Sequence, residues 1–203
     1  TEEETVMIGS QVSGRYDEAL EPLIGVFINN LVLRFDIDRN ATFREHVASV
    51  AASVAGALEH RNMPFNRLVE LVNPVRDATR NPLISVNFNL QKAFMEDRAY
   101  GEFELVSRPS LSPGAIFDLN FFMVGRPDGW RLTLEYNSDL FTAETAERLL
   151  ANWQAIYDSV LANPEIALRD IAYAGRKSIH AVENPASEAQ TQARTALAAR
   201  LTA

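Results

Sequence analysis

The chain contains no cysteine among its 203 residues. Disulfides, thiolate nucleophiles and cysteine-ligated metals are therefore excluded, and the absence is compatible with a reducing compartment such as the cytoplasm, where we expect this chain. No apolar run approaches the ~20 residues of a membrane span, so we expect no membrane partner. Residues 1–4 are acidic and polar, unlike the basic and then apolar start of a signal peptide.

Positive charge is also scarce. Lysine and arginine number 19 against 27 acidic residues, which leaves a formal net charge of -8. A nucleic-acid partner requires a clustered basic face, so nucleic acid is excluded as the main partner. The chain is nevertheless 47% hydrophobic and 23% charged, which is typical of a folded domain with its own core.

Motifs that carry chemistry are missing as well. The three histidines, His46, His60 and His180, share no metal-ligand spacing, and HExxH is absent, so we predict no metal site. No serine lies in a GxSxG or SxxK context, and no glycine motif for dinucleotides or phosphates occurs. Asp36 and Asp38 lie in a polar turn, where solvated charge is the default. No set of residues supports a catalytic assignment by itself.

Two long helices are the clearest local structures. Thr42 and Glu45 have the spacing of a capping box, apolar residues then recur at helical intervals from Phe43 to Leu58, and the helix is expected to end near residues 60–62. His60 would place a cation at the end of this helix, where the helix dipole favours one. Pro64 is expected at the first position of a shorter helix that reaches Val72. Thr142 is expected to cap the second long helix, which has an apolar stripe from Ala146 to Val160.

Several short segments have the pattern of strands. Val86, Phe88 and Leu90 alternate with polar residues, which predicts a strand with one buried face. The other predicted strands are 5–10, two extended pieces within 23–35, 103–106, and a hairpin of 117–124 and 130–136 that turns at 126–129. The expected fold class is α/β (α+β layered), a mixed β-sheet covered by two long helices. From residue 173 to 203 we expect a linker or the start of the next domain, with a helix opening near 195–201.

Three segments are too unusual to be plain core. Ile24–Asn30 places two amides beside an apolar strand, where they either cap local backbone or line a polar channel, and capping is favoured. His60–Phe65 joins the end of one helix to the start of another. Arg76–Leu83 puts two arginines near one aspartate, which predicts a loop held by an ion pair whose contribution is modest if exposed.

These segments, with three others, carry a family resemblance. The sequence resembles condensation domains of nonribosomal peptide synthetases, which commonly contain VxGR, IGxFVNT, HQxxPFExLV and RDxSRxPLFQVxF. The matching segments here are 12–15, 24–30, 60–69 and 76–88, and the later segments 117–119 and 134–141 resemble the family's KFDL and LEYNTDLF. One such motif is weak support, whereas six in the same order over residues 5 to 172 are strong support.

The resemblance implies a fold and a place within it. The family domain is a V-shaped pair of chloramphenicol-acetyltransferase-like lobes with the active site in the tunnel between them. Its catalytic HHxxxDG motif belongs to the N-terminal lobe, which this chain does not contain. Residues 1–172 therefore correspond to the C-terminal lobe, a half of the amide-forming enzyme that we expect to be inactive alone.

The resemblance also implies roles for named residues, none of them catalytic. Arg15 matches an arginine thought to pair with the aspartate of HHxxxDG, so in this chain it should be solvent-reachable or locally paired. The floor loop of the tunnel would include Gly25, Phe27, Asn29 and Asn30. The latch, which crosses to the other lobe, would include Ser112, Pro113, Gly114, Phe117 and Asp118. The remaining family-motif residues are His60, Pro64, Phe65, Arg76, Asp77, Arg80 and Pro82.

The chemistry implied by the family is amide formation. The amine of the acceptor attacks the thioester of the donor, and both ride on phosphopantetheine arms of carrier domains, with no metal or soluble cofactor bound. The implied partners are the missing N-terminal lobe and the donor and acceptor carrier domains. The surface that would face the missing lobe should be apolar, and it favours self-association of this chain.

Departures from the family pattern leave alternatives open. Asn30 replaces a threonine, Asn62 and Met63 replace Asp-Leu, and Ile116 stands where lysine is frequent. One alternative is a non-catalytic module of the same fold that docks carrier domains or other enzymes. Another is an acyltransferase that uses a soluble coenzyme A ester, but the segments 24–30 and 76–83 weigh against it.

Overall fold

The computed structural model describes residues 4–15, 17–74, 81–92, 98–105, 114–127 and 129–173. Its strands are β1 (Thr5–Ser13), β2 (Ile28–Asp36), β3 (Val86–Lys92), β4 (Arg98–Tyr100), β5 (Phe103–Leu105), β6 (Leu119–Arg126) and β7 (Gly129–Tyr136). Its helices are α1 (Phe43–Glu59), α2 (Phe65–Val72) and α3 (Ala143–Ala162), with single 3-10 turns at Glu18–Leu20 and Leu168–Asp170.

Some residues singled out from the sequence lie outside this described part of the chain. They are Arg76, Asp77, Arg80, Ser112, Pro113, His180 and the helix expected at 195–201. The roles proposed for them stay predictions.

Five of the strands form a mixed sheet in the order β2-β1-β3-β6-β7. The outer pairs β1–β2 and β6–β7 are antiparallel, whereas β3 runs parallel to both β1 and β6. Helix α1 packs against β2 and helix α3 against β7. The predicted mixed sheet with two long helices is confirmed. We call the end at which β1, β3 and β6 finish, at Ser13, Lys92 and Arg126, the carboxyl end of the sheet.

Local capping explains where the two long helices begin. The Thr42 side chain accepts from the Glu45 N–H, and the Glu45 carboxylate accepts from the Thr42 N–H at 2.8 Å, which completes the predicted capping box. Thr142 accepts from the Thr145 N–H and starts α3 in the same way. The predicted helix starts are confirmed. Among the described residues, no helix combines the length and the hydropathy that crossing a bilayer requires.

The cap of α1 carries a pH-dependent prediction. Thr42→Ala should lower the free energy of unfolding by about 1 kcal/mol at neutral pH. The backbone and hydroxyl of Thr42 bond to the Glu45 carboxylate and hold its pKa below the ordinary value. A depressed pKa in the folded state means stability that is present above the unfolded-state pKa and is lost as pH falls through the folded-state pKa. In urea unfolding, the gap between wild type and Thr42→Ala should therefore narrow on acidification, and a constant gap would contradict this account.

The centre of the structure combines β1, α2 and the segment before β3. Met7 of β1 packs with Val72 of α2, and Val32, Leu68 and Leu83 surround them. Leu83 has φ 65, and the Ile84 N–H donates to Pro82 O at 2.8 Å, a tight γ-turn that few bulky residues adopt. This turn places the side chain of Ile84, which is 2% exposed, directly over Gly9.

The alternating strand β3 is present, but its buried face is polar. Asn87 is 0% exposed and Asn89 is also buried, whereas Leu90 is exposed. The Asn87 amide donates to Asn120 Oδ1 at 2.8 Å, and Asn89 bonds through both its oxygen and its nitrogen to Gln11. Hydrogen bonding between neighbouring strands makes the burial of these amides tolerable.

The predicted pair of extended pieces within 23–35 is wrong in its first half. A single strand, β2, begins at Ile28, which pairs with Ser13 at the end of β1. Residues before Ile28 have no β1 partner because β1 has already ended, so they form an irregular loop.

Candidate functional site

Arg15 lies just beyond the end of β1 and holds the irregular loop that precedes β2. Its guanidinium donates to Gly25 O at 3.1 Å and to Leu20 O, and its carbon lies 4.1 Å from the centre of the Phe27 ring. Of the two expected states of Arg15, solvent-reachable or locally paired, the structure shows local hydrogen bonding. A guanidinium has five N–H donors, so these contacts leave donor capacity for a further acceptor.

Gly25 lets the Phe27 ring approach the backbone closely. A Cβ at Gly25 would lie 3.2 Å from the Phe27 ring. The Gly14 N–H also donates to Phe27 O, which ties the end of β1 to the loop. The ring of Phe27 is thereby fixed between the guanidinium of Arg15 and the backbone of Gly25.

The loop presents apolar side chains to solvent. We call Leu23–Ile28 the apolar loop. Ile24 is 104% exposed and Val26 is 88% exposed, and Leu23 and Ile28 are exposed as well. A contiguous apolar surface of this kind is typical of an interaction site rather than of a free surface.

Asn29 follows the apolar loop and binds the junction between α1 and α2. Its amide nitrogen donates to Arg61 O at 2.9 Å and to Met63 O at 2.7 Å, and its oxygen accepts from the Phe65 N–H at 3.1 Å. Asn29 does bond backbone groups, but they lie 32 to 36 residues away and not in the local backbone that the prediction named. Asn30 differs, because its Oδ1 is buried and has no hydrogen-bond partner within the described part of the chain.

The junction itself departs from the prediction by one residue. Pro64 is the N-cap of α2, with ψ 136, and the helix begins at Phe65. Because proline has no side-chain acceptor, Asn29 supplies one to the first N–H of the helix. His60 is the C-cap of α1, as predicted, and its N–H donates to the last carbonyls of that helix.

The predicted site residues fall into two separate groups. Arg15, the apolar loop and the α1–α2 junction meet at the carboxyl end of the sheet, where β1 ends and β2 begins. Pro82 lies before β3, and Gly114, Phe117 and Asp118 lie before β6, at the opposite end of these strands. Within the part of the chain that the structure describes, the length of the strands separates the two groups.

The second group has its own internal bonds. Asn81 donates to Ile116 O at 2.6 Å, which joins the segment before β3 to the segment before β6. Phe117 is buried, and Asp118 O accepts from the Asn137 N–H at 3.0 Å. Residues 81, 116–118 and 137 are therefore neighbours at this end of the sheet.

Exposed apolar residues extend along the carboxyl end of the sheet. Leu90 near the end of β3 and Trp130 at the start of β7 are both exposed, as is Ile28 at the start of β2. Met63 of the α1–α2 junction is also exposed and adjoins the apolar loop through the bond from Asn29. These exposed apolar side chains are spread over β2, β3, β7 and the α1–α2 junction.

A polar row across the sheet was missed by sequence reasoning. Asn87, Asn120 and Glu135 are aligned in register on β3, β6 and β7, and their side chains are linked at 2.8 and 3.5 Å. Asn87 Oδ1 is buried and makes no hydrogen bond to any described residue. The asparagines of β3, which alternate with apolar residues, were the available signal.

The described residues hold no cluster of three or more histidine or acidic side chains that could bind a metal ion. His46 lies within α1, where burial lowers the pKa of its imidazole. Its surroundings therefore favour the neutral ring, which is the behaviour of a packed helix residue.

Known proteins resemble this chain in sequence. Residues 1–179 match the family model described as Condensation domain. Tyrocidine synthase 3 of Brevibacillus parabrevis is 33% identical over 171 residues, which cover 83% of this chain and 3% of that protein. The chain therefore spans a small fraction of the length of this curated relative.

Solved structures resemble it in fold. A four-domain nonribosomal peptide synthetase bound to AMP and glycine superposes with a TM-score of 0.76 at 28% identity, over 85% of this chain and 14% of that chain. An X-domain from teicoplanin biosynthesis, solved in complex with OxyB, superposes with a TM-score of 0.70 at 27% identity, over 83% of this chain and 38% of that chain. The family model matches more than half of the chain. This chain belongs to the condensation-domain family.

Proposed function

We propose that this chain is the C-terminal lobe of a condensation domain that forms amide bonds in nonribosomal peptide synthesis. The observation that supports this most directly is the apolar loop, which Arg15 and Asn29 hold in place while Ile24 and Val26 point into solvent. A fixed apolar surface of this kind fits a second lobe of the same domain. Residues 1–172 would form the lobe, and residues 173–203 a linker or the start of the next domain.

The proposed reaction requires two carrier-bound substrates. The amine nitrogen of the acceptor attacks the thioester carbon of the donor, a C–N bond forms, and the C–S bond breaks. The thiol of the donor's phosphopantetheine arm leaves with the proton that the amine loses. No group in this chain takes that proton in the proposal, since the family assigns the step to the HHxxxDG motif of the N-terminal lobe. This chain would contribute the tunnel floor.

Arg15 would organise the site from this side. Two of its N–H groups donate to carbonyls of its own loop. These bonds orient the guanidinium and therefore its remaining N–H donors. We propose that it accepts the buried aspartate of HHxxxDG as partner when the lobes meet, because a buried carboxylate requires a charged or hydrogen-bonding partner. Gly25, Phe27 and Asn30 would lie on the floor, and Gly114, Phe117 and Asp118 in the latch.

The partners follow from the same proposal. They are the N-terminal lobe and the donor and acceptor carrier domains, and no metal or soluble cofactor is bound by this lobe. In the absence of the other lobe, the apolar loop would drive self-association. A cytoplasmic location belongs to the proposal and agrees with a sequence that has no cysteine to oxidise.

A non-catalytic docking module is the second candidate. The solved X-domain that resembles this chain was found in complex with OxyB, so a protein of this fold can bind another protein. In that case the apolar surface would serve a recruited protein, and an HHxxxDG motif would be dispensable.

The 203-residue chain, purified alone, should fold and form no amide from carrier-loaded donor and acceptor, because it lacks the histidine motif. Adding a condensation-domain N-terminal lobe with an intact HHxxxDG should restore amide formation, measured by mass spectrometry of the carrier-bound product. The matched control is the same lobe with the second histidine replaced by alanine. Turnover by the chain alone would overturn the proposal, and binding of the histidine lobe without any turnover would favour the docking module.

A further inference from the structure

We propose that Asn29 is a positioning residue that joins the apolar loop to the α1–α2 junction, so that the loop and Met63 form one preformed docking surface. This inference rests on the proposed function. It gives two family segments, 24–30 and 60–69, a shared physical role in place of two separate ones.

The nitrogen and the oxygen of the Asn29 side-chain amide both take part in hydrogen bonds. The nitrogen donates both hydrogens, to Arg61 O at 2.9 Å and to Met63 O at 2.7 Å, and the oxygen accepts from the Phe65 N–H at 3.1 Å. These three bonds span 32 to 36 residues of sequence. They close the turn after α1 and supply the first N–H of α2 with the acceptor that Pro64 lacks.

Other side chains cannot make this set of bonds. Aspartate keeps the acceptor for Phe65 but places a carboxylate against two carbonyl oxygens in place of two donors. Leucine and alanine lose all three bonds. Glutamine has the same groups on a longer stem, which moves them beyond the positions of the three backbone partners.

We call the three hydrogen bonds of Asn29 to the α1–α2 junction the clamp. The position of Asn29 in the chain explains why the clamp affects the apolar loop. Asn29 is adjacent to Ile28, the last residue of the apolar loop, and pairs with Val12 in β1. Arg15 holds the other side of the loop through Leu20 O and Gly25 O. The loop is therefore fixed on both sides by polar groups of its own lobe, and its apolar side chains are left free for a partner.

A loop that is ordered before binding costs less to dock. Ordering a flexible segment at an interface opposes association, and preorganisation removes that cost. The clamp also sets the separation of Ile28 from Met63, and both are exposed. Loss of the clamp should therefore weaken lobe docking and misplace the tunnel floor without unfolding the sheet.

Hydrogen exchange of the purified 203-residue chain tests the clamp directly. Asn29→Ala should speed amide exchange on the order of tenfold or more in residues 20–28 and 60–68, since each lost bond leaves a backbone group less protected. Asn29→Asp should also speed exchange there, because it keeps the acceptor for the Phe65 N–H but loses both donors. The matched control is Asn62→Ala, which removes an exposed amide from the same junction. Faster exchange throughout β1 and β3 would show a merely structural role and would overturn the proposal.

Amide formation in the complete condensation domain tests the positioning role. Asn29→Ala and Asn29→Asp should lower kcat by about tenfold to a hundredfold, as expected for a misplaced site, with KM for the carrier-bound donor nearly unchanged. Asn62→Ala should match wild type. Faster local exchange with an unchanged kcat would overturn the positioning role and leave the proposed function intact. A wild-type domain that forms no amide would refute the proposed function. The hydrogen-exchange result would still show whether Asn29 holds the loop and the junction in place.

Discussion

Gly9→Ala is expected to destabilise the lobe by about 3 kcal/mol, a large part of the ~5–15 kcal/mol that holds a domain folded. A Cβ at this position would lie 2.4 Å from Ile84 Cγ2, 3.0 Å from Ile84 Cδ1 and 2.9 Å from Asn87 Oδ1. Isoleucine is stiff at χ1, and the γ-turn at Leu83 fixes the backbone beneath it. The side chain of Ile84 therefore has no low-energy way to move aside. Urea unfolding followed by circular dichroism measures the effect.

A double-mutant cycle isolates the cause. Ile84→Ala removes both contacting carbon atoms and should itself cost about 2–5 kcal/mol through the cavity it leaves. The combined variant Gly9→Ala and Ile84→Ala should cost less than the sum by about 1 kcal/mol or more, because the added methyl occupies part of that cavity.

Gly56→Ala is the matched control. A Cβ there meets nothing within 4 Å in helix α1, so this change should stabilise the chain by about 0.5–1 kcal/mol. If the losses of unfolding free energy caused by Gly9→Ala and Ile84→Ala simply add in the double variant, the packing explanation is contradicted.

Charging the apolar loop should abolish association while the fold is kept. In the variant Ile24→Asp with Val26→Asp, two apolar side chains that a partner would bury are lost, each worth about 1.5–3 kcal/mol, so the association constant should fall by about a hundredfold or more. Both positions are almost fully exposed in the isolated chain, so the free energy of unfolding should stay within about 0.5 kcal/mol of wild type. Sedimentation velocity at increasing concentration measures self-association, and titration with the N-terminal lobe measures docking.

Leu161→Asp is the matched control for the loop. Leu161 is 64% exposed and lies on α3, which packs against β7 at the edge of the sheet opposite to β2. Its replacement should leave both associations unchanged. Wild-type association by the doubly charged loop variant would show that another surface receives the partner, with the exposed Leu90 and Trp130 as the next positions to charge.

The helices could be predicted from sequence because their boundaries are local. Thr42 and Glu45 bond to each other's backbone across three residues, and the Thr142 side chain accepts from the Thr145 N–H. The hairpin of β6 and β7 is equally local, because Arg126 pairs with Gly129 across a short turn. In each case the residues that decide the structure lie within one turn of one another.

The candidate site could be predicted only as a set of segments. The six family motifs identify which residues matter, yet they do not show that Arg15 and Asn29 hold the two sides of one loop. They also do not show that Pro82 and Phe117 lie at the far end of the strands from Arg15. Those relations depend on strand order and direction, which bring together residues far apart in the chain.

The polar row of Asn87, Asn120 and Glu135 could not be predicted from the sequence for a similar reason. An alternating strand has two faces, and nothing local states that Asn120 will lie beside Asn87 and offer it an acceptor. The parallel pairing of β3 with β6 supplies that partner, and the γ-turn at Leu83 places Ile84 where it covers the same region.

By itself, the sequence determined the family, the two capped helices, the hairpin and the absence of a histidine motif, since each of these depends on residue identity or on neighbours a few positions apart. Tertiary structure decided the rest. The apolar run before Ile28 is a loop because β1 ends at Ser13 and leaves it no strand partner. Its side chains face solvent because the guanidinium of Arg15 and the amide of Asn29 hold its backbone from within the lobe.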